Sequence, residues 1–354
     1  MGARCGTPAA PGRGMRRSPI APLLVLLPLA ALCACVPRAA AGRAAGSSLE
    51  VRAADGRRLG LLRKVDAFPL YEFRYEADYD LGTMLGAELG AEGSDSEAVP
   101  PGVPAFACTC FAARDLAGHR VMGRNFDWDR DPVLVLLTRP AHGHASIALV
   151  DIRYLGYSAA SPSEEDPARL EYAPALPFDG VNDAGLAAGM MAVPHAEGMG
   201  EGERPVVDEL GFIRLVLDRA GTVGEALALA ASLNVRFTSV PLHYFVADRS
   251  GASAVIEFSG GKALFFRGKD GWQVSTNFLF ADVPEEGRMA ACWRYTLAMK
   301  ELEDSKGQAA PLVLLSELAQ PGTLWSSVYD LGEGSLELAL GRGWAETLTW
   351  RLGR

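Results

Sequence analysis

The chain has 354 residues, 49% hydrophobic and 22% charged, with 34 Lys+Arg against 43 Asp+Glu and a formal charge of −9. That is ordinary globular composition, neither disordered nor fibrous. Residues 1–35 hold four arginines and no acid, so the remainder carries 30 basic against 43 acidic residues. An acidic body of this kind argues against nucleic acid and anionic membrane surfaces as partners.

Taken in chain order, Arg13, Arg16 and Arg17 precede an apolar run from Ile20 to Leu32 that is broken by Pro22 and Pro28 and followed by small residues. This is the pattern of a secretory signal. The run falls short of the about 20 apolar residues that a membrane-spanning helix needs. Leu32-Cys33-Ala34-Cys35 also reads as a bacterial lipobox in which Cys35 takes the lipid; the alternative is a bystander Cys35. Residues 1–35 are therefore expected to be a signal peptide, with the protein periplasmic, extracellular or lipid-anchored to the envelope. The chain has no Asn-x-Ser/Thr sequon, which fits bacterial export better than a glycosylated route.

Residues 36–48, rich in Ala, Gly and Ser, read as a tether. Residues 49–90 read as structured, with short alternating apolar runs from Leu59 to Tyr79. Residues 91–104 are a loop by composition, ending just before Cys108 and leaving the Ala107–Cys108 bond near an accessible segment. Strands are expected at Phe106–Arg114 and His119–Arg124, joined by the hairpin turn Asp115-Leu116-Ala117-Gly118. Further strands follow at Val133–Thr138, Ser146–Tyr154 and Leu186–Val193, the last entered through Asn182-Asp183-Ala184-Gly185. Helices are expected at Val207–Arg219 and Val223–Leu233, the second with a capping box of Thr222 and Glu225. Strands return at His243–Ala247, Ala254–Phe258, Ala263–Arg267 and Trp272–Thr276. Arg288–Leu302 reads as a helix with Met289, Trp293, Leu297 and Met299 as its apolar stripe, and Pro311–Ala319 as another. Strands at Leu324–Tyr329, Leu336–Leu340 and Thr347–Leu352 close the chain. Hairpins dominate and no regular βαβ alternation is present, so helices packed on stacked antiparallel sheets are expected.

Of six cysteines, Cys5 and Cys33 leave with the signal and Cys35 is the candidate for lipidation. Cys108, Cys110 and Cys292 remain, an odd number with irregular spacing and no disulfide framework. No Cys/His cluster completes a zinc site, and there is no GxGxxG or P-loop, so neither metal nor cofactor is expected.

Cys108 is followed fifteen positions later by Gly123-Arg124-Asn125-Phe126-Asp127-Trp128. A thiol is only a few per cent thiolate at neutral pH and needs a base or a cation beside it. Were the chain cut before Cys108, the new α-amine, with a reference pKa of about 8, could take the thiol proton. Arg124 would hold the thiolate and Asp127 would anchor the amine. For Cys108 and Cys110 the bland alternative is a buried core cysteine, and for Arg124 and Asp127 a salt bridge at a hairpin end.

These residues resemble the choloylglycine hydrolase family of N-terminal-nucleophile amidases, which includes bile salt hydrolases and penicillin V acylases. The bacterial linear amide C–N hydrolases are the best match; acid ceramidase and N-acylethanolamine amidase are more distant. The matching segments run in order: Cys108-Thr109, Gly123–Trp128, Phe178–Leu186, His243–Asp248, Ala254–Glu257, Ser275-Thr276-Asn277 and Trp325–Asp330. The resemblance implies an α+β, four-layer αββα sandwich with two stacked antiparallel sheets. It implies a signal over 1–35, a tether and pro-segment over 36–107 that stays bound after cleavage in some relatives, and an amidase domain over 108–354. It implies Cys108 as nucleophile, Arg124 and Asp127 as its partners, Asn277 as side-chain oxyanion donor and Arg294 as the family's late arginine. The backbone N–H of Met191 is expected to complete the oxyanion site, in a slot where bile salt hydrolases carry an Asn; that change of pocket wall weighs against a bile salt substrate. Trp128 and Met190 are expected to line the acyl pocket. The expected partner is a small-molecule N-acyl amide, with a homo-oligomer left open. The alternatives are an acyltransferase on the same fold and a non-catalytic envelope binding module.

Overall fold

The structure, a computed structural model, describes residues 48–353 apart from 67–69, 82–83, 85–107, 129–132, 158–161, 163–164, 199–203 and 239. The expected signal with Cys35, the tether as far as residue 47, the 91–104 loop and Ala107 lie outside the described residues.

The strands are, in chain order, β1 Ser48–Arg52, β2 Arg58–Asp66, β3 Leu70–Tyr75, β4 Thr109–Arg114, β5 Arg120–Asp127, β6 Val133–Thr138, β7 Ser146–Asp151, β8 Asp179–Asn182 and β9 Leu186–Ala192. They continue as β10 Val206–Asp208, β11 Asn234–Arg236, β12 Leu242–Asp248, β13 Ser253–Ser259, β14 Lys262–Arg267, β15 Gln273–Ser275, β16 Thr323–Asp330, β17 Ser335–Leu340 and β18 Leu348–Arg351. The helices are α1 Glu209–Arg219, α2 Val223–Ser232, α3 Arg288–Ala291, α4 Trp293–Asp304 and α5 Pro311–Leu318.

One sheet runs β1-β2-β3-β6-β7-β8-β9-β12-β13-β14 and the other β15-β4-β5-β16-β17-β18. The chain is antiparallel within both sheets except where β3 lies parallel to β6; β10 and β11 form a separate parallel pair. Helices α1 and α2 cover the outer face of the larger sheet, and α4 and α5 that of the smaller. The result is the αββα sandwich.

Local chemistry accounts for the pieces that hold the site. At the β4–β5 turn, the Asp115 carboxylate accepts from the N–H of Ala117 (2.9 Å) and of His119 (2.8 Å), and Gly118 takes φ 91°, a conformation that favours glycine. The β8–β9 turn places Gly185 at φ 83°. Helix α2 begins at the expected box, Thr222 Oγ1 accepting from Glu225 N while the Glu225 carboxylate accepts from Thr222 N. On the outer face Phe212 of α1 meets Tyr244 at 4.6 Å between ring centres. Between the sheets Phe126 stacks on Trp325 at 4.1 Å and meets Phe178 edge-on at 5.4 Å.

Two expectations change. Val206–Asp208 pairs with β11 as a strand, so the helix starts at Glu209, capped by Asp208. The expected helix Arg288–Leu302 is broken at Cys292, whose backbone is extended (φ −152°, ψ 127°). The break turns α4, so its buried side is Arg294, Tyr295, Ala298 and Leu302, while Trp293 is 55% exposed.

Candidate active site

The β4–β5 register puts Cys110 opposite Arg124 and Thr109 opposite Asn125. Cys108, the residue before β4, therefore lies beside the end of β5, and it is 2% exposed. Burial pushes the Cys108 thiol above its ordinary value; Arg124 opposes this, and the Asp127 carboxylate adds to it. Burial pushes Cys110 up to about 12, a core thiol rather than a nucleophile.

Arg124 is fully buried between the sheets. Its Nη2 donates to Met190 O (2.6 Å), and its Nη1 forms an ion pair with Asp179 at the start of β8. Asp179, also fully buried, accepts from the Tyr329 hydroxyl and from Trp325 Nε1 (3.3 Å). The Arg124 guanidinium carbon lies 4.9 Å from the centre of the Phe126 ring. Arg124 is thus neutralised by Asp179, not by Asp127. Asp179 falls within a quoted motif, yet sequence reading assigned it no role. A carboxylate opening the short strand Asp179–Asn182 was the available signal.

Asp127 is buried at the end of β5, with Oδ1 accepting from Thr323 Oγ1 and Oδ2 without a hydrogen-bond partner. Burial pushes its carboxyl up to about 6, although the Thr323 hydrogen bond and the charges of Arg294 and Arg124 pull it down.

Arg294, buried on α4, grips both sides of the site. Its Nη1 donates to Cys108 O and to Thr109 Oγ1 (2.7 Å), and its Nη2 to Asn277 Oδ1 (3.0 Å). Asn277, two residues past β15, donates from Nδ2 to Ala192 O at 2.7 Å. The structure therefore brings Cys108, Arg124, Asp127, Asn277 and Arg294 together.

Met191 is not placed as expected. It faces His243 across the β9–β12 ladder, where Ala192 faces Leu242. Hydrogen-bonded pairs recur at every second residue of an antiparallel ladder. Val193 N donates to Pro241 O (2.9 Å), so Met191 is in the bonded set and its N–H is committed to β12. Ala192 has the opposite parity. Its N–H and its C=O turn away from β12, and the C=O is the group that meets Asn277. The backbone donor beside the site is that of Ala192.

A small pocket, partly open to solvent, opens beside Cys108 and is lined by Phe126, Trp128, Tyr154, Phe178, Met190, Ala192, Glu209, Leu210, Val240 and Leu242. Trp128 and Met190 are there as expected. The other apolar walls come from segments that sequence reading had no reason to join. The Glu209 carboxylate, the acid of the wall, already accepts from Thr238 N at 2.9 Å. Among the described residues no group of three or more His, Cys, Asp or Glu could hold a metal ion, and no helix is long and apolar enough to cross a membrane.

The two stacked sheets between helix layers, with a cysteine at the head of a strand of the inner hairpin, define an N-terminal-nucleophile hydrolase sandwich. Two variants of the conjugated bile acid hydrolase from Clostridium perfringens share the fold. They have TM-scores of 0.52 and 0.51, each with 14% identity over 69% of this chain and 92% of theirs. A penicillin V acylase from Agrobacterium tumefaciens is 19% identical over 66% of this chain and 83% of its own, with a TM-score of 0.47. No curated protein matches the sequence. Residues 108–277 match the family described as linear amide C–N hydrolases, choloylglycine hydrolase family. The likeness to that family is carried by this segment, a little under half of the chain, and it points to hydrolysis of linear amide C–N bonds.

Proposed function

We propose that the chain is cut before Cys108 and then hydrolyses an N-acyl amide with an apolar acyl group, through a thioester on the Cys108 sulfur. The observation that carries this reading is Asp127: a buried carboxylate with one oxygen engaged by Thr323 and the other open, beside the cysteine. An α-ammonium created at Cys108 is the group that would satisfy that oxygen.

The steps follow from the positions. The neutral α-amine takes the Sγ proton, and the thiolate attacks the substrate carbonyl. Charge developing on the carbonyl oxygen meets the second Nδ2 hydrogen of Asn277 and the Ala192 N–H; one such donor is typically worth about 10²–10³ in rate. The α-ammonium then protonates the leaving amine as the C–N bond breaks, leaving the acyl thioester. Water, deprotonated by the amine, attacks the thioester and releases the acid and the thiol. Arg124 raises the thiolate fraction against the cost of burial, while Arg294 holds Cys108 and Asn277 in one frame. The aromatic and aliphatic walls suit an apolar acyl group, and none of the described residues lining the pocket is a cation that would receive an anionic one. Export rests on residues 1–35 alone, and the lipid on Cys35.

The test uses 4-nitroanilides bearing acetyl, hexanoyl, decanoyl, phenylacetyl and succinyl groups. Cleaved wild type is expected to release 4-nitroaniline from the apolar members, to give an acid-quenched mass adduct of one acyl group, and to disfavour the succinyl compound. Turnover by Cys108→Ala would refute the nucleophile, and equal use of the succinyl compound would refute the pocket.

A further inference from the structure

Beneath the loop that carries Asn277 lies a buried polar group that the chemistry above does not use. Glu257 on β13 is fully buried. Its Oε1 accepts from Phe280 N (2.6 Å) and its Oε2 from Ala281 N (3.0 Å). Oε1 also lies 3.3 Å from His243 Nδ1, and His243 Nε2 lies 3.5 Å from Ser275 Oγ. His243 is itself fully buried on β12.

One carboxylate thus reaches both flanks of Asn277, the backbone after it and, through His243, the Ser275 hydroxyl before it. It holds Phe280 and Ala281 directly, after Asn277, and Ser275 through His243, before it. Ser275 belongs to the smaller sheet, where it pairs with Cys110 on β4; Glu257 and His243 belong to the larger. The group therefore pins the Asn277 segment across the gap between the sheets. Burying a carboxylate is costly unless it is hydrogen-bonded, and an apolar side chain of like size would pack here without that cost. What an apolar side chain cannot do is accept from two backbone N–H groups and so fix where the loop sits. A catalytic donor needs placement to within about 0.5 Å.

We propose that Glu257, with His243, is a positioning residue for Asn277, setting the height of its amide over the attacked carbonyl. This rests on the reading of Asn277 as an oxyanion donor. The side-chain contacts of Asn277 with Arg294 and Ala192 fix its rotamer, and Glu257 fixes the backbone that bears it.

The experiment is a double-mutant cycle on the cleaved full chain, with hexanoyl 4-nitroanilide as probe: Glu257→Gln, Asn277→Ala and the double variant. Glu257→Gln keeps the volume but sets an N–H₂ against one of the two backbone N–H groups. It is expected to lower kcat about tenfold or more while KM stays within about threefold, the signature of an interaction made in the transition state. The double variant is expected to be no slower than Asn277→Ala within about twofold, because the two act as a unit. Wild-type kcat in Glu257→Gln, or losses that multiply in the double variant, would overturn the proposal. Should Glu257→Gln not fold, His243→Gln replaces it in the cycle, with a smaller loss expected and the same absence of multiplication; multiplied losses there overturn it equally. Failure of the oxyanion reading looks different: Asn277→Ala would itself turn over at the wild-type rate, and the positioning proposal would fall with it.

Discussion

Arg124 carries its charge between two sheets, and Asp179 is what makes that tolerable. Removing one partner of a buried pair strands the other, at a cost of about 3–5 kcal/mol. Asp179→Asn is accordingly expected to lower the unfolding free energy measured by urea titration by an amount of that order and to abolish turnover, since Arg124 is freed to move from Met190 O. An unfolding free energy within about 0.5 kcal/mol of wild type, on the order of ordinary surface substitutions, would contradict the pairing. Asp127 behaves oppositely. Its carboxyl is pushed by burial from the ordinary 3.8 up to about 6, so the fold favours its protonated form. Its contribution to stability is present at pH below the unfolded value and is lost as pH rises through about 6. In the Cys108→Ala background, Asp127→Asn keeps the oxygen that accepts from Thr323. It is expected to stabilise the chain at pH 7.5, by on the order of 2–3 kcal/mol, and to do nothing at pH 3. Equal effects at both pH values would refute the raised pKa. Cys108, Arg124 and Asp127 stood out by residue type and spacing, whereas Asn277 and Arg294 were expected only through the family resemblance. Ala192 was not legible, because a slip of one residue along β9 reverses which way every N–H points, and sequence does not show that parity.

Elements fared better than their edges. The β4–β5 hairpin and the α2 cap were readable because alternation, an Asp/Gly turn and a Thr-x-x-Glu box are local signals. Chain beyond a single element decides the rest. The break at Cys292 and the exposed Trp293 follow from α4 turning Arg294 inward to Cys108 and Asn277, a demand made by the site rather than by helix periodicity. Close sheet packing makes a further demand at β9. A Cβ on Gly189 would stand 3.0 Å from Met122 Cε and 3.2 Å from Arg124 Cδ. Met122 can give way at its flexible end, but Arg124 can do so only by shifting its guanidinium. Gly189→Ala is expected to remain folded, with a thermal midpoint lowered by a few degrees, and to lose about tenfold in kcat, since small misplacements of a catalytic group are costly. Unchanged kcat would show that Arg124 tolerates the shift.

At the scale of the molecule, the sandwich was an expectation of the family resemblance, while the strand order was not legible. The pairing of β9 with β12 and the parallel pairing of β3 with β6 join segments far apart in the chain, and no local signal specifies them. That order has a consequence for the pieces of a cut chain. Strand β3 pairs with β6 along its whole length, and Leu70, Tyr71, Phe73 and Tyr75 are buried in the common core. Glu72 receives Trp350 Nε1 (2.9 Å) from β18 of the other sheet. A chain cut before Cys108 is therefore expected to elute from gel filtration as one species holding both fragments, which part only in denaturant. A separately eluting N-terminal fragment would mean that β1–β3 are not integral to the mature fold.

The central claim is that Cys108 becomes the first residue of the working chain. Intact mass with N-terminal sequencing, run on purified wild type beside Cys108→Ala, tests it most directly. The account predicts a new N-terminus at Cys108 in wild type and an uncut Cys108→Ala. Wild type that retains the Ala107–Cys108 bond while hydrolysing amides would contradict it, because no α-amine would then exist to take the thiol proton.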